Sequence, residues 1–219
     1  MYKVPYIEAM ESFGDILDMS IDVVQVAAMV VAIWTWNRYK HTTERYFLYY
    51  LIYVVANENL AYVYQWYTSN NNFFFYNIFM VVSFLFFIYW FGQILKRKTE
   101  MYVGIAIFLL SVIIPFTIEA FFSYQWVIPM YTGCVLIIAF TGLYFYSLLN
   151  ENITTSLYSR PRFWIVIGLF IFHLGYLPIA LFLEKNLDYN SLQYIMSLTL
   201  VNVIYYGCFI PSFLCRPKN

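Results

Sequence analysis

Apolar runs of about twenty residues recur along almost the whole chain, with only short polar segments between them. A helix needs about that length to cross the roughly 30 Å hydrocarbon core of a bilayer. Of the 219 residues, 63% are hydrophobic and only 11% are charged. An ordinary soluble domain has about a quarter of its residues charged, so a water-soluble globule is excluded.

The pattern predicts an all-α polytopic membrane protein, folded as a single seven-transmembrane-helix domain over residues 1–219. Sliding a window of about 20 residues along the chain gives its seven membrane spans. The predicted spans are 14–37, 45–67, 73–95, 101–122, 126–148, 161–183 and 191–213.

Lysine and arginine concentrate in alternate connections between these spans. Ten of the twelve lie in residues 38–45, 96–98, 160–162 and 216–218, whereas the other side has only Lys3 and Lys185. Loops rich in lysine and arginine stay in the cytoplasm. The N-terminus is therefore predicted outside and the C-terminus in the cytoplasm.

Several functions of helical membrane proteins demand residues that this chain lacks. The formal net charge of zero gives no basic field for nucleic acid. The seventh span contains no lysine, so retinal cannot form a Schiff base there. Only His173 is an intramembrane histidine, which makes a catalytic zinc site improbable. Cys134, Cys208 and Cys215 form no CxxC motif, and we expect no cofactor and no metal.

Four polar residues in different spans are predicted to share one layer of the membrane. A rise of about 1.5 Å per residue, counted from the span ends, brings Asp22, Glu58, His173 and Asn202 to nearly the same depth. This layer lies slightly outside the midplane. An ionisable residue in hydrocarbon is costly unless it has a partner or reaches water, so it is a candidate functional residue.

Further polar residues extend this candidate ligand-binding site. Asn57 and Asn59 flank Glu58, and three consecutive polar residues cover more than half of a helix surface, so some must face protein or water. Asp18 enters the outer part of the membrane one turn before Asp22, and Glu119 is placed at the outer rim of the fourth span.

Two interpretations of this layer stay open. In one, the residues form a buried hydrogen-bond network that fixes helix register and binds nothing. In the other, they line an outward-facing pocket for a cation, a proton or a small polar molecule. Beyond the first turn of any span there is no lysine or arginine to neutralise the acids, which favours a cation or proton over an anion.

Helix packing has one sequence signal of its own. Gly168 and Gly175 lie seven residues apart in the sixth span, hence on one helical face. Small residues on one face let a neighbouring backbone approach closely. We expect a close helix–helix contact along this face.

The last third of the chain carries a more specific pattern. Arg160 begins the motif R-P-x-F-W-I-x-I-G-x-x-I, which opens the sixth span, and Asn202 lies in the seventh. This part resembles a group of uncharacterised heptahelical membrane proteins of the Bacteroidetes, often encoded near sensor histidine kinases. The resemblance implies a sensory role in the cell inner membrane and assigns no catalytic residues.

These observations together favour a receptor-like sensor in the inner membrane, embedded in the lipid bilayer, over an enzyme. The tail after Ser212 is only seven residues long, so the signal is expected to pass to a partner such as a histidine kinase. A homo-oligomer is compatible with the chain. The alternatives are a small-solute or proton-coupled transporter and, second, a membrane enzyme acting on a lipid.

Overall fold

The computed structural model describes residues 5–118, 126–151, 156–183 and 192–215, and every regular element in these ranges is helical. The all-α prediction is therefore confirmed. The α-helices are α1 Pro5–Trp34, α2 Trp36–Tyr39, α3 Arg45–Thr68, α4 Phe73–Leu95, α5 Lys98–Ile118, α6 Val127–Leu149, α7 Pro161–Leu183 and α8 Leu192–Leu214, and a 3₁₀ turn covers Leu157–Ser159.

Within the described part of the chain, five helices are long and apolar enough to cross a membrane. They are α4, residues Lys98–Pro115 of α5, α6, residues Pro161–Leu181 of α7, and α8. α1 adds a shorter apolar stretch, Met19–Trp34. Large apolar side chains are exposed on these helices, such as Leu110 at 62% and Leu200 at 61%. The chain is a multi-pass helical membrane protein.

α3 is as long as these helices but carries more polar atoms. Its 24 residues include eight tyrosine or tryptophan residues and the run Asn57–Asn59, which lower its hydropathy without shortening the helix. Tyrosine and tryptophan suit the membrane interface because each joins an apolar ring to a polar atom. This composition explains why α3 is not among the five most apolar helices.

The described residues group into two compact units. The first, residues 36–156, contains α2 to α6. In it α4 packs against α3, α5 and α6, and α5 packs against α6. Aromatic rings fill the α3–α4 contact: the Phe47 ring lies 4.9 Å from that of Trp90 and 5.1 Å from that of Phe86. Edge-to-face pairs at such distances stabilise beyond their buried area.

The second unit contains α1, the 3₁₀ turn, α7 and α8. α8 packs against both α1 and α7. A methyl group added to Gly168 would lie 2.9 Å from Cys208 Cβ and 3.2 Å from the carbonyl oxygen of Tyr205. At Gly175 it would lie 2.7 Å from Val201 Cγ1. The close helix contact predicted from these two glycines is present, and the neighbour is α8.

Candidate functional site

The predicted site residues are divided between the two units. Asn57, Glu58 and Asn59 lie in α3, whereas Asp22, His173 and Asn202 lie in α1, α7 and α8 of the other unit. The layer that joins Glu58 to the other three remains a prediction. Glu119 and the side chain of Asp18 lie outside the described residues.

Glu58 receives a contact from the neighbouring helix. The Tyr76 hydroxyl of α4 donates to Glu58 Oε2 across 3.5 Å, at the long end of the hydrogen-bond range. Ring contacts on either side fix the register of the two antiparallel helices here. Tyr53 lies 5.8 Å from Phe79, and Tyr64 lies 5.1 Å from Phe74, between ring centroids. Glu58 is half-buried at this contact.

The two asparagines beside Glu58 have opposite environments. Asn59 is exposed, and its Nδ2 donates to the carbonyl oxygen of Val55 at 2.7 Å. Asn57 is only 6% exposed, and its Nδ2 has no hydrogen-bond partner among the described residues. At least one side chain of the polar triplet, that of Asn57, therefore faces protein.

Asn57 Nδ2 is one of several buried polar atoms without a hydrogen-bond partner among the described residues, and another of them lies one helical turn before Asn57. The Tyr53 hydroxyl is buried and has no hydrogen-bond partner in the described part of the chain. Leaving a buried polar group unpaired costs about 1–3 kcal/mol, so native proteins keep few of them, and each calls for an explanation. Tyr53 and Asn57 share one stripe of α3, since residues i and i+4 lie one above the other.

Chemically, this part of α3 combines an acid with two hydrogen-bond donors. Glu58 supplies a carboxylate that can hold a proton or face a cation. Asn57 Nδ2 can only donate, whereas the Tyr53 hydroxyl can donate or accept. The Phe79 ring beside Tyr53 forms an apolar wall. The group suits a small polar molecule or water that carries acceptor atoms, next to an ionisable carboxylate.

In the other unit, the histidine is anchored to its own helix. His173 is 2% exposed, and its Nδ1 lies 2.7 Å from the carbonyl oxygen of Leu169, one turn earlier. A carbonyl can only accept, so the proton is on Nδ1. The ring also packs edge-on against Phe172, with centroids 5.1 Å apart. His173 thus has a local structural role in addition to any binding role.

Asn202 and Asp22, in the same unit, differ in their exposure. The Asn202 amide is part-buried and donates to the carbonyl oxygen of Leu198 at 2.8 Å, again one turn earlier. Such back-bonding satisfies one N–H of the amide without any partner helix. Asp22 is exposed on α1.

Among the buried polar residues that the sequence analysis did not single out are an acid and two amides: Glu44 at 3%, Gln25 at 4% and Asn77 at 0% exposure. Asn77 could have been found, because it is a lone amide in the apolar run that opens α4. Gln25 could have been noticed one turn after Asp22. Glu44 had no such signal, because it lies in a polar loop where an exposed acid is expected.

No group of three or more histidine, cysteine, aspartate or glutamate residues that could hold a metal ion occurs in the ranges that the structure describes. Compared with protein-family models, curated proteins and solved structures, the chain has no match in any of the three.

Proposed function

We propose that the protein is a receptor-like sensor of the inner membrane that responds to a proton, a cation or a small polar ligand at Glu58. The observation that carries this proposal is the buried Asn57 amide, whose Nδ2 is unpartnered one residue from the carboxylate. A network serving only helix packing would be expected to satisfy this donor, because an unpaired buried amide destabilises the fold.

The chemical nature of the site supports a proton or a cation. Glu58 is half-buried in a helix of a membrane protein, and beyond the first turn of each predicted span the chain has no lysine or arginine. The Tyr76 hydroxyl that contacts Glu58 Oε2 is a neutral donor. Ionisable residues in membrane helices are typical of proton and ion pathways and of ligand sites.

The proposal includes seven membrane spans, with the N-terminus outside and the C-terminus cytoplasmic. The support is the distribution of lysine and arginine among the connections. α1 and α3 would then cross together with the five more apolar helices. We further propose that movement of the helices is passed to a cytoplasmic partner such as a histidine kinase, as the resemblance of the last third implies.

Glu58→Gln tests the site, because it keeps the shape of the side chain and removes the ionisable group. The purified protein in lipid nanodiscs would be followed by intrinsic tryptophan fluorescence as pH is changed, and separately as sodium or potassium is added. We expect a pH- or cation-dependent change in the wild type that is absent from the variant. The matched control is Glu151→Gln, an exposed acid after α6, which should respond as the wild type does.

Transport is the alternative function, and a measurement of proton flux distinguishes it from sensing. Proteoliposomes with a pH-sensitive dye inside would report proton movement in the wild type and in the Glu58→Gln variant. A sensor changes its fluorescence without net flux. Acidification of the lumen that depends on Glu58 would show that the protein is a transporter and not a sensor. A Glu58→Gln variant with the full wild-type response would show that Glu58 is not part of the site.

A further inference from the structure

A shallow apolar groove, called here the α5–α6 groove, lies on the first unit between two of its helices. Its walls come from both helices, and Thr99 and Glu100 lie at one end, at the start of α5. The apolar wall residues are Val103, Gly104 and Ile107 of α5 and Leu136, Ala139, Phe140 and Leu143 of α6.

The dimensions of the groove fit one leaflet of a bilayer. From Thr99 to Ile107 the helix rises about 12 Å, at about 1.5 Å per residue. Half of the roughly 30 Å hydrocarbon core is about 15 Å. The wall residues Val103 and Ile107 are 53% and 45% exposed. An apolar groove of this length, open to the side, suits a single acyl chain.

The polar end of the groove carries excess positive charge. Lys96, Arg97 and Lys98 immediately precede or begin α5, and all three are exposed. Arg97 Nη1 pairs with Glu100 Oε1 at 2.9 Å, which neutralises the one acid that lines the groove. The two lysines remain as net positive charge beside the groove end.

We propose that the α5–α6 groove binds one acyl chain of an anionic phospholipid whose phosphate lies against Lys96 and Lys98. Basic residues at the membrane surface attract anionic headgroups, and basic pockets beside membrane helices hold them. The apolar walls alone would accept any acyl chain, so the lysines supply the headgroup preference. This site is separate from Glu58 and does not rest on the proposed function.

Native mass spectrometry of the detergent-purified protein tests the site. The protein would be titrated with phosphatidylglycerol and with phosphatidylcholine of identical acyl chains. We expect the protein to bind the first molecule of phosphatidylglycerol more tightly than the first molecule of phosphatidylcholine. The double variant Lys96→Gln with Lys98→Gln should bind the first phosphatidylglycerol about 25-fold more weakly, since each lysine contributes a factor of about five near an anionic lipid. Phosphatidylcholine binding should not change.

A lysine from another connection is the matched control for charge. Lys40 bonds to Asn37 Oδ1 at 3.2 Å, on the connection before α3. Lys40→Gln should keep the preference for phosphatidylglycerol. Competition with inorganic phosphate should fail to displace the lipid, because a free anion has no acyl chain for the groove. Equal affinity of the wild type for the two lipids, or displacement by phosphate alone, overturns the proposal.

Blocking the groove tests the acyl chain separately. Ala139→Leu fills the groove from α6, and Val103→Trp fills it from α5. If one of these two variants does not fold, the other still tests the acyl-chain site. Ala106→Leu adds the same volume to an exposed position of α5 that does not line the groove. Each blocking variant should weaken the first bound lipid of either headgroup at least tenfold, and Ala106→Leu should not. Unchanged binding by a folded blocking variant overturns the proposal.

Discussion

The side chain of Asn77, near the start of α4, accepts a hydrogen bond from the backbone N–H of Trp126, just before α6. Asn77 Oδ1 lies 3.0 Å from the Trp126 nitrogen, although the two residues are 49 positions apart in the chain. Both residues are buried, at 0% and 1% exposure. The first N–H groups of a helix have no partner inside it, so this amide satisfies a backbone donor where the chain enters α6.

Replacing Asn77 with leucine should destabilise the protein. Leucine has a similar size but no acceptor, so the buried N–H of Trp126 loses this bond. We expect the free energy of unfolding in detergent micelles to fall by about 1–3 kcal/mol. Asn150 is the control, since its exposed amide donates to the carbonyl oxygen of Tyr146 at 2.8 Å. Asn150→Ala should change stability by less than about 0.5 kcal/mol, and an equal loss in both variants would contradict the role of Asn77.

Gly168 should not tolerate even alanine. The added methyl group would meet the Tyr205 carbonyl oxygen at 3.2 Å and Cys208 Cβ at 2.9 Å, so α7 and α8 must separate. Overpacking of this kind costs about 1–3 kcal/mol. Gly142 has nothing within 4 Å of its added methyl group. Gly142→Ala should be neutral or stabilise by up to about 1 kcal/mol through helix propensity.

Both glycine variants can be compared in one denaturation series in detergent micelles. The contrast between them is the informative quantity, because both replace a helical glycine by the same residue. Should Gly168→Ala be as stable as Gly142→Ala, the close packing of α7 on α8 would be absent from the protein in detergent.

Topology is tested by cysteine labelling from the two sides of the membrane. In a Cys215→Ser background, Asn70→Cys places a thiol between α3 and α4, and Thr99→Cys places one at the start of α5. Both positions are exposed. The proposed orientation requires a membrane-impermeant maleimide to label Asn70→Cys in intact cells and Thr99→Cys only after permeabilisation. The reverse result would also remove the predicted depths of the polar residues, because counting from the span ends assumed this orientation.

The thiol of Cys215, directly after α8, should react slowly with alkylating reagents. Burial raises its pKa above the ordinary value, and a hydrogen bond from Trp164 only partly opposes this effect. The Sγ also donates to the carbonyl oxygen of Tyr158 at 3.3 Å. A raised pKa lowers the thiolate fraction at neutral pH, and the thiolate is the reactive form.

The rate of alkylation at Cys215 should therefore rise with pH, and the pH at which it is half-maximal should be higher than for an exposed cysteine. Ser156→Cys, at an exposed position in the Cys215→Ser background, supplies the reference profile. Trp164→Phe removes the donor that lowers the pKa, so it should move the Cys215 midpoint further up. Identical pH profiles for Cys215 and the reference thiol would contradict the burial of this group.

The helices were predictable because hydrophobic length determines them. The predicted segment 73–95 coincides with α4, and 161–183 coincides with α7. α1 begins at Pro5, before the predicted span 14–37, since hydropathy identifies the apolar part of a helix and not its polar extension. The short helix α2 was not predicted, because one turn is too short to show periodicity.

The candidate site was predictable only in part. Helical spacing indicated that some side chains of the run Asn57–Asn59 must face protein or water. It could not show which one, and the structure buries Asn57 while exposing Asn59. Depth counting treats each helix separately, so it could not identify the contact of Tyr76 with Glu58, which depends on how α3 and α4 pair.

Substituting Asn57 tests whether its buried amide belongs to a hydrogen-bond network or to a ligand site, because the two cases predict different effects on stability and on the fluorescence response. Leucine at this position removes a donor that has no partner among the described residues. If nothing binds there, Asn57→Leu should stabilise the fold by about 1–3 kcal/mol, since an unpaired buried polar group is removed. If the donor serves a ligand, the variant should keep or gain stability and lose the fluorescence response to pH or cations. Loss of stability without any change in that response would show that the amide is bonded within the protein, and Asn57 would then belong to packing.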